Sequence, residues 1–232
     1  MSAVVIVGSG KSLLGRGLGK KIDSFENIIR FNPSDEFLDD RRYKSDIGSR
    51  MTIFSFNTNR LILNLIERKI VKGNFIKEHK ELSKVLCTYG VRKKILEYIK
   101  KTRSGRNIFR YLRKNDMPHE LLGHRDALHK LKKIIPPPYL PKRRPGRRAP
   151  YMAFTAGFQA VTHALERYDE IYLCGFDALH ALHQERQETG VHRRINGHFY
   201  GGSSVSNRAH SLKSEAKMIN KLIQKTNKIE II

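Results

Sequence analysis

Six short apolar runs rich in β-branched residues punctuate this chain: VVIVG (4–8), NIIRFN (27–32), MTIFSF (51–56), KVLCTYG (84–90), EIYLCGF (170–176) and the terminal IEII (229–232). Gly, Asn or Asp bounds them, and their largely continuous apolar character is that of strands buried on both faces. Between them lie LLGRGLGKKID (13–23), NRLILNLIERK (59–69), VRKKILEYIKKT (91–102), NIFRYLRK (107–114) and AGFQAVTHALERY (156–168), with apolar residues at helical spacing. Strand alternating with helix predicts an α/β fold, a mostly parallel central sheet flanked by helices. Ligands in such a sheet gather at the carboxyl ends of the strands. A length of 232 residues suits one such domain, so 1–232 is expected to be a single unit. The stretch IIPPPYLPKRRPGRRAP (134–150) interrupts the pattern, because consecutive prolines continue neither a helix nor a central strand. It reads as a basic loop, either plainly solvated or used as an acceptor-recognition or lid element.

The chain carries 45 Lys and Arg against 22 Asp and Glu, a formal charge of +23, and a pI near 10.2. No acidic residue occurs from Ala127 to Leu165. Such a balance implies an anionic partner: nucleic acid, an acidic or phosphorylated glycan, or a negative membrane surface met peripherally. No run of about 18 apolar residues could span a bilayer. The first strand begins almost at once, so no signal peptide is expected, and the expected location is the cytoplasm or its membrane surface. Cys87 and Cys174 both sit in strand-like runs, where buried free thiols are expected.

GSGKS (8–12) invites a P-loop reading, but G-x-x-x-x-G-K-[ST] would need glycine at Val5, inside the first strand. Three glycines in GRGLG would also weaken the helix required behind the phosphates, each by about 1 kcal/mol relative to alanine. A nucleotide triphosphatase fits poorly. A glycine turn still lets backbone approach a nucleotide closely.

Taken whole, the chain resembles the eukaryotic-type sialyltransferase family, which transfers sialic acid or, in some relatives, Kdo from a CMP-activated donor. VGSGKSLLGRGLGKKIDSFENIIRFN (7–32) is similar to its large motif, and DIGSRMT (46–52) to the segment that follows. FTAGFQAVTHALERYDEIYLCGFD (154–177) is similar to the small motif, HFYG (198–201) to the third, and HSLKSE (210–215) to the very small H-x4-E motif. All stand in the family's order; residues 57–151 carry no such match. The family's disulfide between the large and small motifs falls here at Val4 and Tyr168, so that staple is absent. The usual asparagine of the first turn is Ser9, the S-T-G turn is Thr155-Ala156-Gly157, and neither the membrane anchor nor the stem of most eukaryotic relatives is expected.

The resemblance implies a Rossmann-like variant of the GT-A glycosyltransferase fold and an inverting, metal-independent transfer with no cofactor. His210 would be the general base on the acceptor hydroxyl. His198 and Tyr200 would donate to the departing phosphate, Asn32 and Ser9 to the ribose or phosphate. Gly8 and Gly10 would admit the nucleotide, and Thr155 and Gly157 would offer a hydroxyl and N–H groups to an anion. The acceptor would be a glycan or glycolipid, anionic if the basic loop meets it. The spacing of His180 and His183 suits one helix face, but no cysteine joins them and no D-x-D pair occurs, so no metal site is assigned. Two other classes stay open: a basic nucleic-acid binder, for which no recognised module exists here, and a CMP-binding relative without catalysis.

Overall fold

A computed structural model describes residues 1–31, 38, 40–58, 60–73, 75–89, 101–136, 154–177, 179 and 212–232. Its strands are β1 (Ala3–Val7), β2 (Asn27–Phe31), β3 (Ile53–Asn57), β4 (Lys84–Tyr89), β5 (His119–Gly123), β6 (Glu170–Cys174) and β7 (Ile229–Ile231). Its α-helices are α1 (Gly19–Asp23), α2 (Arg41–Ile47), α3 (Arg60–Glu67), α4 (Phe75–Glu78), α5 (Arg103–Lys114), α6 (His124–Ile134), α7 (Ala156–Ala164) and α8 (Leu212–Thr226).

The seven described strands form one sheet in the order β5-β4-β3-β2-β1-β6-β7, and every neighbouring pair is parallel. Successive strands step outward from β1 to β5, after which the chain returns to lay β6 on the other side of β1. That reversal creates a topological switch point at the carboxyl ends of β1 and β6, where open α/β sheets bind ligands.

Period-two alternation along each strand sends side chains to two cores. Val4 and Ile6 join Ile29, Leu86 and Leu173 beneath Ala127, Leu131, Phe158, Val161, Ile219 and Leu222 of α6, α7 and α8. Val5 and Val7 join Ile28, Phe54, Phe56 and Val85 beneath Ile22, Ile47, Leu63, Ile66, Ile108 and Leu112 of α1, α2, α3 and α5. The α/β architecture expected from the apolar runs is therefore present, with every described pairing parallel.

Three local expectations change. β5 was not among the runs read as strands: it is an edge strand of sequence HELLG, half-buried over its first four residues. LLGRGLGKKID is helical only at its end, because Gly15 and Gly17 take φ of 77° and 62°, left-handed values that break a helix. NRLILNLIERK continues α3 into a π-helical turn, Arg68–Lys72. Residues 91–100 of VRKKILEYIKKT, the prolines and basic residues of 137–150, and His180 and His183 lie outside the described residues.

Cys87 and Cys174 are buried and free, as expected. Three strands separate β4 from β6, too far for a disulfide. Burial pushes the Cys174 thiol up to about 12 and the Cys87 thiol up as well, so both stay protonated at neutral pH.

Candidate active site

The turns leaving β1 and β6 are joined backbone to backbone. Gly8 N–H donates to the Cys174 carbonyl (2.7 Å) and Gly10 N–H to the Gly175 carbonyl (2.9 Å). A Cβ on Gly8 would stand 2.1 Å from the Gly175 oxygen, so no side chain fits there. Ser9 is buried between these glycines. The N–H groups of Lys11 and Ser12 donate to the two carboxylate oxygens of Asp177, at 3.0 and 3.1 Å. Further along, Gly15 N–H and Gly17 N–H donate to Asp46, at 2.9 and 2.8 Å. The amides that a P-loop would turn toward phosphates thus face carboxylates of this chain, which agrees with the missing glycine at Val5.

Asp46 opens the DIGSR segment, and the rest of that segment is equally tied to the glycine-rich stretch. Asp23 accepts from Ser49 N–H (2.9 Å), Ser49 Oγ (3.0 Å) and Arg50 N–H (3.0 Å). Arg50 in turn donates to the Asp23 and Phe25 carbonyls and pairs with Glu81 at 2.6 Å. Arg30, in the middle of β2 and 1% exposed, donates to the Arg50 carbonyl at 2.8 Å. These charged side chains therefore act as internal staples that hold the β1 turn in place.

The second small-residue turn meets the same place. Thr155 is the N-cap of α7, its hydroxyl oxygen accepting from Phe158 N–H at 3.1 Å. Gly157 packs against Phe31 at the end of β2 and Phe176 after β6, where a Cβ would come within 3.0 Å of the Phe31 ring. Those rings meet edge to face, with centroids 6.2 Å apart. Gly8, Ser9, Gly10, Thr155 and Gly157 are thereby gathered around the switch point. Asn32, His198, Tyr200 and His210 lie outside the described residues.

Glu215 closes the H-x4-E motif. It is 5% exposed, and its two oxygens accept from Thr155 N–H (2.8 Å) and Thr155 Oγ (2.7 Å). Burial pushes its carboxyl up to about 7, outweighing the two Thr155 hydrogen bonds that pull the other way. The Thr155 hydroxyl proton is thus committed to Glu215. The amides of Ala156 and Gly157 remain as first-turn N–H groups without intrahelical acceptors, at the positive end of α7. Glu215 also fixes the first turn of α8, which His210 precedes by two residues, to this end of α7.

Two further histidines are buried for structural reasons. His124 accepts from Phe154 N–H (3.2 Å) beneath the Phe154 ring, and His163 lies 3.7 Å from Glu120. Burial lowers both to about 4, which leaves them neutral and weakly basic. Among the described residues no three His, Cys, Asp or Glu side chains gather in a way that could hold a metal ion.

Residues 2–227 match the family model of glycosyltransferase family 29 (sialyltransferase). Among curated proteins none matches. Among solved structures, the fold is similar to a mammalian sialyltransferase (TM-score 0.52, 16% identity), covering 100% of this chain and 68% of that one. It is also similar to a mammalian sialyltransferase in complex with Gal-β-1-3GalNAc-ortho-nitrophenol (TM-score 0.51, 17% identity), covering 100% of this chain and 69% of that one.

Proposed function

This chain belongs to glycosyltransferase family 29 and is a glycosyltransferase, and from that premise we propose that it moves sialic acid or Kdo from a CMP-activated donor to a glycan hydroxyl, with inversion and without a metal. The observation that carries this reading is the meeting of the β1 turn, the β6 turn and the α7 N-terminus at one switch point. A close backbone turn suits a flat nucleoside. The first-turn amides of Ala156 and Gly157 suit a single phosphate better than a triphosphate, whose cradle the Asp177 contacts already fill.

In the reaction the bond between the anomeric carbon and the phosphate oxygen breaks, and the acceptor oxygen bonds to that carbon from the opposite face. The acceptor proton goes to His210, and the electron pair of the broken bond leaves with CMP. His198 and Tyr200 donate to the phosphate oxygens as charge builds there, with Ser9 and Asn32 holding the ribose or phosphate. Positioning and charge neutralisation carry most of the barrier reduction, because CMP is already a good leaving group.

Incubation with CMP-sialic acid and with CMP-Kdo, each with and without excess EDTA, tests this reading. One donor is expected to release CMP, faster when glycan acceptors are added. Loss of release in EDTA would contradict metal independence, and no release from either donor would contradict the donor class.

A further inference from the structure

We infer that the outer face of α5 is a docking surface for anionic lipid headgroups at a bilayer surface. Arg103, Arg106, Arg110, Arg113 and Lys114 are all exposed, and at 100° per residue they fall within an arc of about 100°. Ser104, Gly105, Ile108 and Leu112 are buried on the opposite side. The helix contains no acidic residue, and Lys101 extends the exposed cations by one at its start. Arg103, Arg110, Arg113 and Lys114 carry no acidic partner among the described residues; Arg106 donates to the Lys101 carbonyl. A helix that solubilises itself intersperses both signs of charge, and this one presents a single sign along its whole outer edge.

The chemistry of the arc favours headgroups over nucleic acid. The aromatic residues that could stack bases point elsewhere: Phe109 packs on the His119 ring (centroids 5.4 Å apart), and Tyr111 lies against the core. The flanking amide that could read a base edge, Asn107, donates to Glu67 at 2.6 Å. What remains are guanidinium groups and one ammonium suited to phosphate. With its apolar side on the sheet, α5 would touch the headgroup layer without inserting, and among the described residues no helix is long and apolar enough to cross a bilayer. This surface stands independently of the transfer chemistry.

Sedimentation with phosphatidylcholine vesicles, alone or doped with phosphatidylglycerol, tests it. Wild-type protein is expected to bind only the anionic vesicles and to dissociate as salt is raised. Each cation in contact adds roughly fivefold to the partition, so R110Q/R113Q is expected to lose about 25-fold. K132Q/K133Q removes the same charge from exposed lysines of α6, on the opposite face, and should change binding by less than about threefold. Unaltered circular dichroism of both variants excludes a folding effect. Equal losses in the two variants, or retained binding in R110Q/R113Q, would overturn the assignment. Loss of RNA or DNA binding by R110Q/R113Q, with no vesicle binding by the wild type, would overturn it in favour of a nucleic acid.

Discussion

Replacing His210 by alanine is expected to lower transfer by about 10²–10⁴-fold while leaving CMP affinity nearly unchanged. The proposed base acts on the acceptor hydroxyl and not on the leaving nucleotide, so its loss removes an interaction realised in the transition state. Turnover and its ratio to KM should therefore fall together. In the sequence His210 stands two residues ahead of the amino end of α8. Anchoring of α8 by Glu215 brings that end of the helix to the α7 N-terminus, where the proposed phosphate contacts lie. His198→Ala should behave differently, weakening CMP binding as well as transfer. Single-turnover CMP release and calorimetric CMP binding on both variants separate the two roles. Near-normal turnover in H210A would remove His210 from the mechanism.

Glu215 should make the protein's stability depend on pH in a direction opposite to most carboxylates. Its folded value of about 7 lies above the ordinary 4.5, so the folded state binds the extra proton between those limits. Stability from this group is fully present below pH 4.5, is lost as pH rises through 7, and is flat beyond. The full loss is on the order of 3 kcal/mol. E215Q keeps an acceptor for Thr155 N–H and cannot titrate. Urea denaturation across this range should therefore show wild type minus E215Q falling by that amount. Taking the difference cancels the other groups that titrate in a chain of net charge +23. E215A leaves the Thr155 N–H and hydroxyl without their acceptor and should cost about 2–4 kcal/mol at pH below 5. Identical pH profiles for wild type and E215Q would show that the buried carboxyl is not the titrating group.

Five of the strands, β1 to β4 and β6, were legible because a strand covered on both faces is largely apolar along its length, whereas the edge strand β7, with Glu230 exposed, was legible from the isoleucines of IEII. β5 escaped notice because an edge strand needs less cover, and HELLG runs directly into α6 with no break between Gly123 and His124. The glycine-rich stretch carried a signal for a tight turn but not for which turn. Gly15 and Gly17 adopt left-handed backbone whose amides are held by Asp46, 31 and 29 residues away. The same limit hid the roles of Asp177 and Glu215, whose partners lie 166 and 60 residues off in sequence. Spacing along a chain reports what shares a helix face or a strand side, and these carboxylates act across the switch point between elements. The motif resemblance did place Asp23, Asp46 and Arg50 in segments that matter, and the structure gives them a reason: they lock the β1 turn.

The central claim is that the switch point accepts one cytidylyl group. Thermal unfolding in the presence of CMP, CDP, UDP, ATP and GDP tests it most directly. The account predicts selective stabilisation by CMP, about 2.7 kcal/mol when the nucleotide stands at a hundred times its Kd. Equal shifts with all five nucleotides, or none with CMP, would contradict it.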